Sequence, residues 1–271
     1  MRDYRPPGTQ MLGMRVYARP FAGVELGLSR HLQWGGEGRP RGTRALADAV
    51  LARTNVEDAE RGSDPSNELA GIDLRLAGRS EGGWAWVGHA QLIGEDEASK
   101  LPSRRIATAG LQLKQPWCDG RLEWSVEGSD TLLSREFGLG SGRAPAPAYR
   151  HGSYVDGYYH DGLPIGAGIG GGGRLCTLGL AWVPACADDC KRVRMAVFDG
   201  RVNEQGTEPL NALFGERGTL RGLRLELATT RAGLDWSVGL SVQRYAPGPR
   251  SSVGLQASVL VPLGAAGALL D

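Results

Sequence analysis

Leu234-Asp235-Trp236-Ser237-Val238-Gly239-Leu240-Ser241-Val242-Gln243 alternates an apolar side chain with a small or polar one along its whole length. Successive side chains of a β-strand point to opposite faces, so this stretch builds one aliphatic face and one wettable face. The same texture recurs elsewhere. Val24, Leu26, Leu28 and Leu32 alternate with Glu25, Gly27, Ser29 and His31, and only Arg30 interrupts the apolar row. Leu223, Leu225 and Leu227 alternate with Arg224, Glu226 and Ala228, and Val253, Leu255, Ala257, Val259 and Val261 alternate with Gly254, Gln256 and Ser258. Two rows of this kind fit a core inside with water outside, or lipid outside with water inside. Alternation alone does not separate them.

Strand length and loop placement do. Period-2 stretches predict strands over residues 11–19, 23–34, 68–77, 83–93, 104–114, 121–132, 164–182, 191–199, 220–230, 234–245 and 251–263. The joints at 20–22, 78–82, 115–120, 183–190 and 231–233 are short, whereas those at 35–67, 94–103, 133–163 and 200–219 are long and 246–250 is middling. Short and long joints therefore take turns along the chain, which a soluble sandwich has no reason to arrange. Many segments also approach or exceed the roughly 9–11 residues that a tilted bilayer crossing needs. The expected fold is all-β: one antiparallel up-and-down transmembrane β-barrel domain over residues 1–271, with long extracellular loops and short periplasmic turns. Trp84, Trp86, Trp117, Trp182 and Trp236 fall near short-turn ends and Trp34 and Tyr245 near long-loop ends, which predicts two interfacial aromatic belts. Residues 44–53 form the one helical patch, expected to cap or plug the barrel mouth.

Composition permits this reading. Mean hydropathy is −0.26 and no long apolar run occurs, which excludes a helical membrane protein but suits half-polar strands. A net charge of +1 offers no attraction to nucleic acid. The chain opens on polar, loop-like sequence without an apolar export segment, and eleven strands is an odd number, so it is expected to be the C-terminal part of a longer protein. Four cysteines are present; Cys186 and Cys190 could close a small disulfide loop in a compartment that permits one, with free thiols an equal alternative. Metal-ligand spacing is absent, and no cofactor is expected.

The unusual chemistry lies in the long loops. Residues 149–162 gather Tyr149, His151, Tyr154, Tyr158, Tyr159 and His160. Flat rings with polar tips, interleaved with acids and imidazoles, can stack on sugar faces and bond their hydroxyls. The same composition also suits a loop that folds over the barrel mouth and packs on itself. Glu95 and Asp96 belong to an acidic run in the 94–103 loop, available for hydroxyl contacts or simply solvated. Gly166 to Gly173 is glycine-dense but is not followed by a helix, so it is no phosphate cradle. Glu123 and Glu127 share the polar row with nearby arginines, which favours salt bridges over a glycosidase pair.

Leu32-Gln33-Trp34-Gly35-Gly36-Glu37-Gly38-Arg39-Pro40, Asn67-Glu68-Leu69-Ala70-Gly71-Ile72-Asp73, Gly94-Glu95-Asp96 and Tyr149-x-His151-x-x-Tyr154-x-x-Gly157-Tyr158, in that order, resemble the capsule assembly protein Wzi family. The resemblance implies part of an eighteen-stranded outer-membrane barrel that holds capsular polysaccharide or exopolysaccharide at the cell surface without catalysis. From their composition and their place in the long loops, Tyr149, Tyr154, Tyr158 and Tyr159 are expected to stack on sugar, and His151, His160, Glu95 and Asp96 to contact hydroxyls. A monomer bounded by outer-membrane lipid is expected. A pore or solute channel on the same fold is the alternative, and a periplasmic carbohydrate-active enzyme a third reading.

Overall fold

The computed structural model describes residues 5–51, 66–98, 101–132, 148–149, 151–186, 190–204, 206, 214–231, 234–246 and 250–260. Eleven long strands form one continuous sheet: β1 (Thr9–Phe21), β2 (Val24–Gly35), β3 (Ser66–Arg79), β4 (Ala85–Ala98), β5 (Leu101–Trp117), β6 (Gly120–Asp130), β9 (Arg174–Pro184), β10 (Cys190–Val202), β11 (Gly218–Arg231), β12 (Leu234–Ala246) and β13 (Arg250–Leu260). Each pairs antiparallel with the next in chain order. Two-residue strands β7 (Tyr159–His160) and β8 (Leu163–Pro164) make a separate hairpin between β6 and β9. This is the meander of an up-and-down barrel wall, and it is open: β1 and β13 lie at its two edges.

The sheet is inside out relative to a soluble protein. Register places Val126, Leu178, Val197, Leu223, Val242 and Val253 in one cross-strand row on the apolar face. That face stays uncovered, with Leu255 82%, Phe21 74% and Val16 72% exposed. Burying one such side chain is worth about 1.5–3 kcal/mol, so a solvent-facing wall of them is untenable in water and natural in hydrocarbon. Trp86, Trp117 and Trp236 are exposed near the short-turn end, as an interfacial belt requires. The opposite belt does not form from the expected residues. Trp34 is buried beneath a helix, and Tyr245 points to the polar face and packs on Phe214 with ring centroids 5.7 Å apart.

On the polar face the charges pair across strands. Arg15 grips the Asp73 carboxylate with two nitrogens (2.6 and 3.1 Å) and reaches Glu25 at 3.0 Å, while Arg19 holds the other Glu25 oxygen at 2.9 Å. Gly27 is what admits this cluster, since a Cβ there would collide with the Asp73 carboxylate. Glu123 takes Arg121 at 2.7 Å and Lys114 at 3.7 Å, and Glu127 lies 3.4 Å from His89.

Helix α1 (Thr43–Val50) corrects the expected plug. Its stripe of Leu46, Ala49 and Val50 packs on Leu32, Trp34, Leu12 and Met14, which belong to the apolar face. The helix therefore lies outside the wall rather than in its mouth. Its position accounts for the one break in the apolar row. Arg30 pairs with Glu68 and donates to the Ala49 carbonyl at 2.9 Å, so the helix encloses an ion pair that would otherwise face hydrocarbon.

Candidate functional site

The polar face changes character near the long-loop end. Leu69, Ile93 and Ile106 occupy its row there, and register sets Ile93 opposite Ile106 with Leu69 two positions along the neighbouring strand. A wettable wall with an apolar collar needs a cover. The segment from Ala148 to Gly173 supplies it: Ala148, Tyr149, Tyr158 and Tyr159 form one buried cluster with Leu69 and Ile106.

Hydrogen bonds fix this segment to the wall at several points. The Tyr158 hydroxyl lies 3.0 Å from the Asn67 carbonyl and 3.1 Å from that of His31, close enough to donate to either. Gln33 Nε2 donates to the Gly157 carbonyl at 2.6 Å and is itself positioned by Asn67 Nδ2, which donates to Gln33 Oε1 at 2.6 Å. The Tyr154 hydroxyl lies 3.4 Å from the Gly35 carbonyl, and the Arg39 guanidinium sits 4.8 Å over the Tyr154 ring. Tyr159 accepts the Gly171 amide at 2.9 Å, and Tyr149 accepts the Ala167 amide at 3.2 Å. Arg5 forks onto Asp156 through Nε (3.1 Å) and Nη2 (2.9 Å). At the tip, Asp161 and Gly162 both take positive φ between Tyr159–His160 and Leu163–Pro164, the backbone of a two-residue hairpin turn.

This geometry revises the role of the tyrosines. Tyr154 is fully enclosed and Tyr149, Tyr158 and Tyr159 are nearly so, which leaves no outward ring face for a sugar to stack on. They are the pegs of the loop. The reason for three of them is the apolar collar: burying the Tyr149, Tyr158 and Tyr159 rings against it outweighs leaving them in water, while Tyr154 is enclosed beside Gly35, Arg39 and His151. His160 is by contrast outward, with a 72% exposed side chain 3.8 Å from Asp161. His151 is half-buried, accepts the Ser153 amide at 3.2 Å through Nδ1 and leans on Tyr154. Glu95 and Asp96 lie in strand β4 rather than in a loop, because the hairpin continues to Ala98 and restarts at Leu101. Their side chains lie outside the described part of the structure. Cys186 and Cys190 are joined, with Cα atoms 5.9 Å apart, and Cys118 and Cys176 are free. The glycines of 166–173 are not strand; they wrap Thr131, whose hydroxyl bonds Gly170 O (2.7 Å) and Gly173 N (2.9 Å).

Beneath the loop lies a cavity of about 740 Å³ on the polar face. Its roof carries Tyr149 and Tyr158, and its lower wall carries Gln91, Thr108, Thr177, Arg224 and Gln243. Apart from the charged Arg224 and Glu127, these are neutral donors and acceptors, which suit hydroxyl-rich ligands. Among the described residues no group of three or more His, Cys, Asp or Glu is placed to hold a metal ion. Sequence reading missed Gln33, Asn67, Arg5 and Asp156 as loop anchors. It also missed the Asp161-Gly162 turn, whose dipeptide was a usable signal.

Comparison with known proteins agrees with this architecture. The family model described as capsule assembly protein Wzi matches residues 1–248. An uncharacterized 55.8 kDa protein of the cps region of Klebsiella pneumoniae is 31% identical over 219 residues, covering 81% of this chain and 41% of that protein. A solved structure of Wzi from Escherichia coli superposes with a TM-score of 0.73 at 27% identity, covering 95% of this chain and 52% of the other. That protein is an outer membrane protein involved in group 1 capsule assembly and a carbohydrate-binding β-barrel. The chain spans about half the length of these relatives. A sheet that exposes its aliphatic face, a loop folded against its polar face and a family match over most of its length agree: the chain belongs to the capsule assembly protein Wzi family.

Proposed function

We propose that this chain is part of a non-enzymatic outer-membrane barrel that binds capsular polysaccharide or exopolysaccharide and holds it at the cell surface. The observation that carries this is the docked loop at residues 148–173, which presents polar groups outward while its tyrosines grip the wall. The long loops then face outward from the cell and the short turns face the periplasm. His151 and His160, with Glu95 and Asp96 on the neighbouring hairpin, make the hydroxyl contacts. Tyr149, Tyr154, Tyr158 and Tyr159 set the loop's shape. The family match supports the assignment to capsule assembly, and the Escherichia coli relative's carbohydrate binding supports the ligand class. A pore is disfavoured because the loop lies across the upper lumen face and the charges below it pair with one another.

Replacing Tyr154 and Tyr158 together with alanine tests this. Each deletion of a buried aromatic costs about 3–5 kcal/mol, enough to undock the loop. In capsulated cells the variant should stay heat-modifiable on gels, as a folded barrel does, while shed polysaccharide rises at the expense of the cell-bound fraction. An unchanged ratio of bound to shed polymer, with the loop demonstrably cleavable by protease, would remove the loop from the binding role.

A further inference from the structure

Most cations on the lumen wall are engaged: Arg15, Arg19, Lys114, Arg121 and Arg194 each have a carboxylate within reach. Arg224, like Arg75 and Arg192 on the same face, is not: it stands on the polar row of β11 and forms no ion pair or hydrogen bond among the described residues. Its position is central, for it lines both the 740 Å³ cavity beneath the loop and a second cleft of about 320 Å³ lower on the wall.

The surroundings of Arg224 are shaped for a ligand. Register gives one continuous row across neighbouring strands: Gly179, Ala196, Arg224, Ser241 and Gly254. Every member except the arginine is small, so the row is a trough that crosses the strands with one guanidinium standing in it. Above it, Phe198 and Gln243 lie on the adjacent row; below it, Arg194 and Glu226 pair loosely at 3.5 Å. A bare guanidinium offers five donors in a planar fork that matches a carboxylate. With a trough of small side chains beside it and amide and hydroxyl groups around it, the matching ligand is a sugar that carries a carboxylate.

We infer that Arg224 anchors an acidic sugar residue of the bound polysaccharide, a uronic acid or a ketal-linked carboxylate, in the trough between Gly179 and Gly254. This rests on the polysaccharide-binding reading and adds to it a second, lumenal contact and a charge preference. Arg224 selects for the acid; the outer loop contacts hydroxyls irrespective of charge.

The test uses the full-length protein in liposomes and three polyuronates (polygalacturonate, polymannuronate and hyaluronan), each native and carboxyl-reduced. The wild type should bind at least one native polymer about tenfold more tightly than its reduced form, the worth of one charge-assisted bidentate contact. R224Q should lose that preference and keep its binding of the reduced polymer, and R224K should keep part of it. A wild type that binds acidic and reduced polymers alike, or an R224Q variant that retains the tenfold preference, overturns the anchor and leaves the surface-binding reading standing. A wild type that binds none of the six polymers overturns both.

Discussion

Leu178 and Thr177 are neighbours on β9 at the same depth, and only the face differs. Leu178 is 53% exposed on the apolar face, with Val126 and Val197 as its cross-strand partners. Thr177 stands on the polar face between Glu127 and Phe198. Replacing each with arginine therefore puts the same charge at the same height on opposite sides of one wall. At position 178 the guanidinium meets aliphatic neighbours and hydrocarbon, and Arg on the lipid face near the midplane of such a barrel costs about 2–4 kcal/mol. That corresponds to about a 30- to 700-fold loss in the folded-to-unfolded ratio. At position 177 it faces the Glu127 carboxylate on a wet wall, so the change should stay within about 1 kcal/mol, the range of an exposed pair. The assay is urea unfolding of the full-length protein in phosphatidylcholine vesicles, followed by tryptophan fluorescence and heat-modifiable gel migration. Equal stabilities for L178R and T177R, or a larger loss for T177R, would mean that water rather than lipid covers the leucine row. The membrane assignment would fall with it.

Two further outcomes follow from packing and covalent structure. Ala49 is fully buried between α1 and the wall, so A49E should lift the helix at a cost of about 1–3 kcal/mol and speed tryptic cleavage after the exposed Arg44 by roughly tenfold. A47E, on the exposed side of the same helix, should cleave like the wild type, and equal rates for the two variants would contradict the packing. Alkylation of the unfolded, unreduced protein should modify Cys118 and Cys176 and leave Cys186 and Cys190 unreacted until reductant is added. Four reactive thiols before reduction, counted by mass spectrometry, would disprove the bridge.

The architecture was legible in the sequence because it depends on period and not on contact. Leu234 to Val242 states its two faces residue by residue, and every one of the eleven strand segments has a counterpart in the sheet. What escaped the sequence is whatever depends on register. The apolar collar exists only because β3, β4 and β5 align Leu69, Ile93 and Ile106 side by side, and those residues are far apart in the chain. Without the collar there is no reason to turn Tyr149, Tyr158 and Tyr159 inward, so the loop reads as a binding surface. The side on which α1 packs is a similar case. Arg30 and Glu68 look like faults in two apolar rows until register sets them diagonally adjacent, where they form an ion pair that the helix covers. Extended backbone through Glu95 and Asp96 was hidden because acids and a proline disguise a hairpin that continues past the wall.

Strand direction limits how such a sheet can close. β1 runs from Thr9, opposite Gly35 at the long-loop end, to Phe21 at a short turn. β13 runs the same way, from Arg250 opposite Tyr245 to Leu260 opposite Asp235. Joining these two edges directly would create a parallel seam in an otherwise antiparallel wall. Two copies oriented alike in a membrane would meet through the same mismatch at both seams. Antiparallel closure needs an odd number of further strands between β13 and β1. An odd complement added to eleven restores the even count usual in bacterial single-chain barrels. It also accords with a chain that covers 52% of the Escherichia coli barrel protein. Arg224 lies on β11, two strands in from the β13 edge, so the trough around it is built within the strands described and does not wait on the closing strands for its floor.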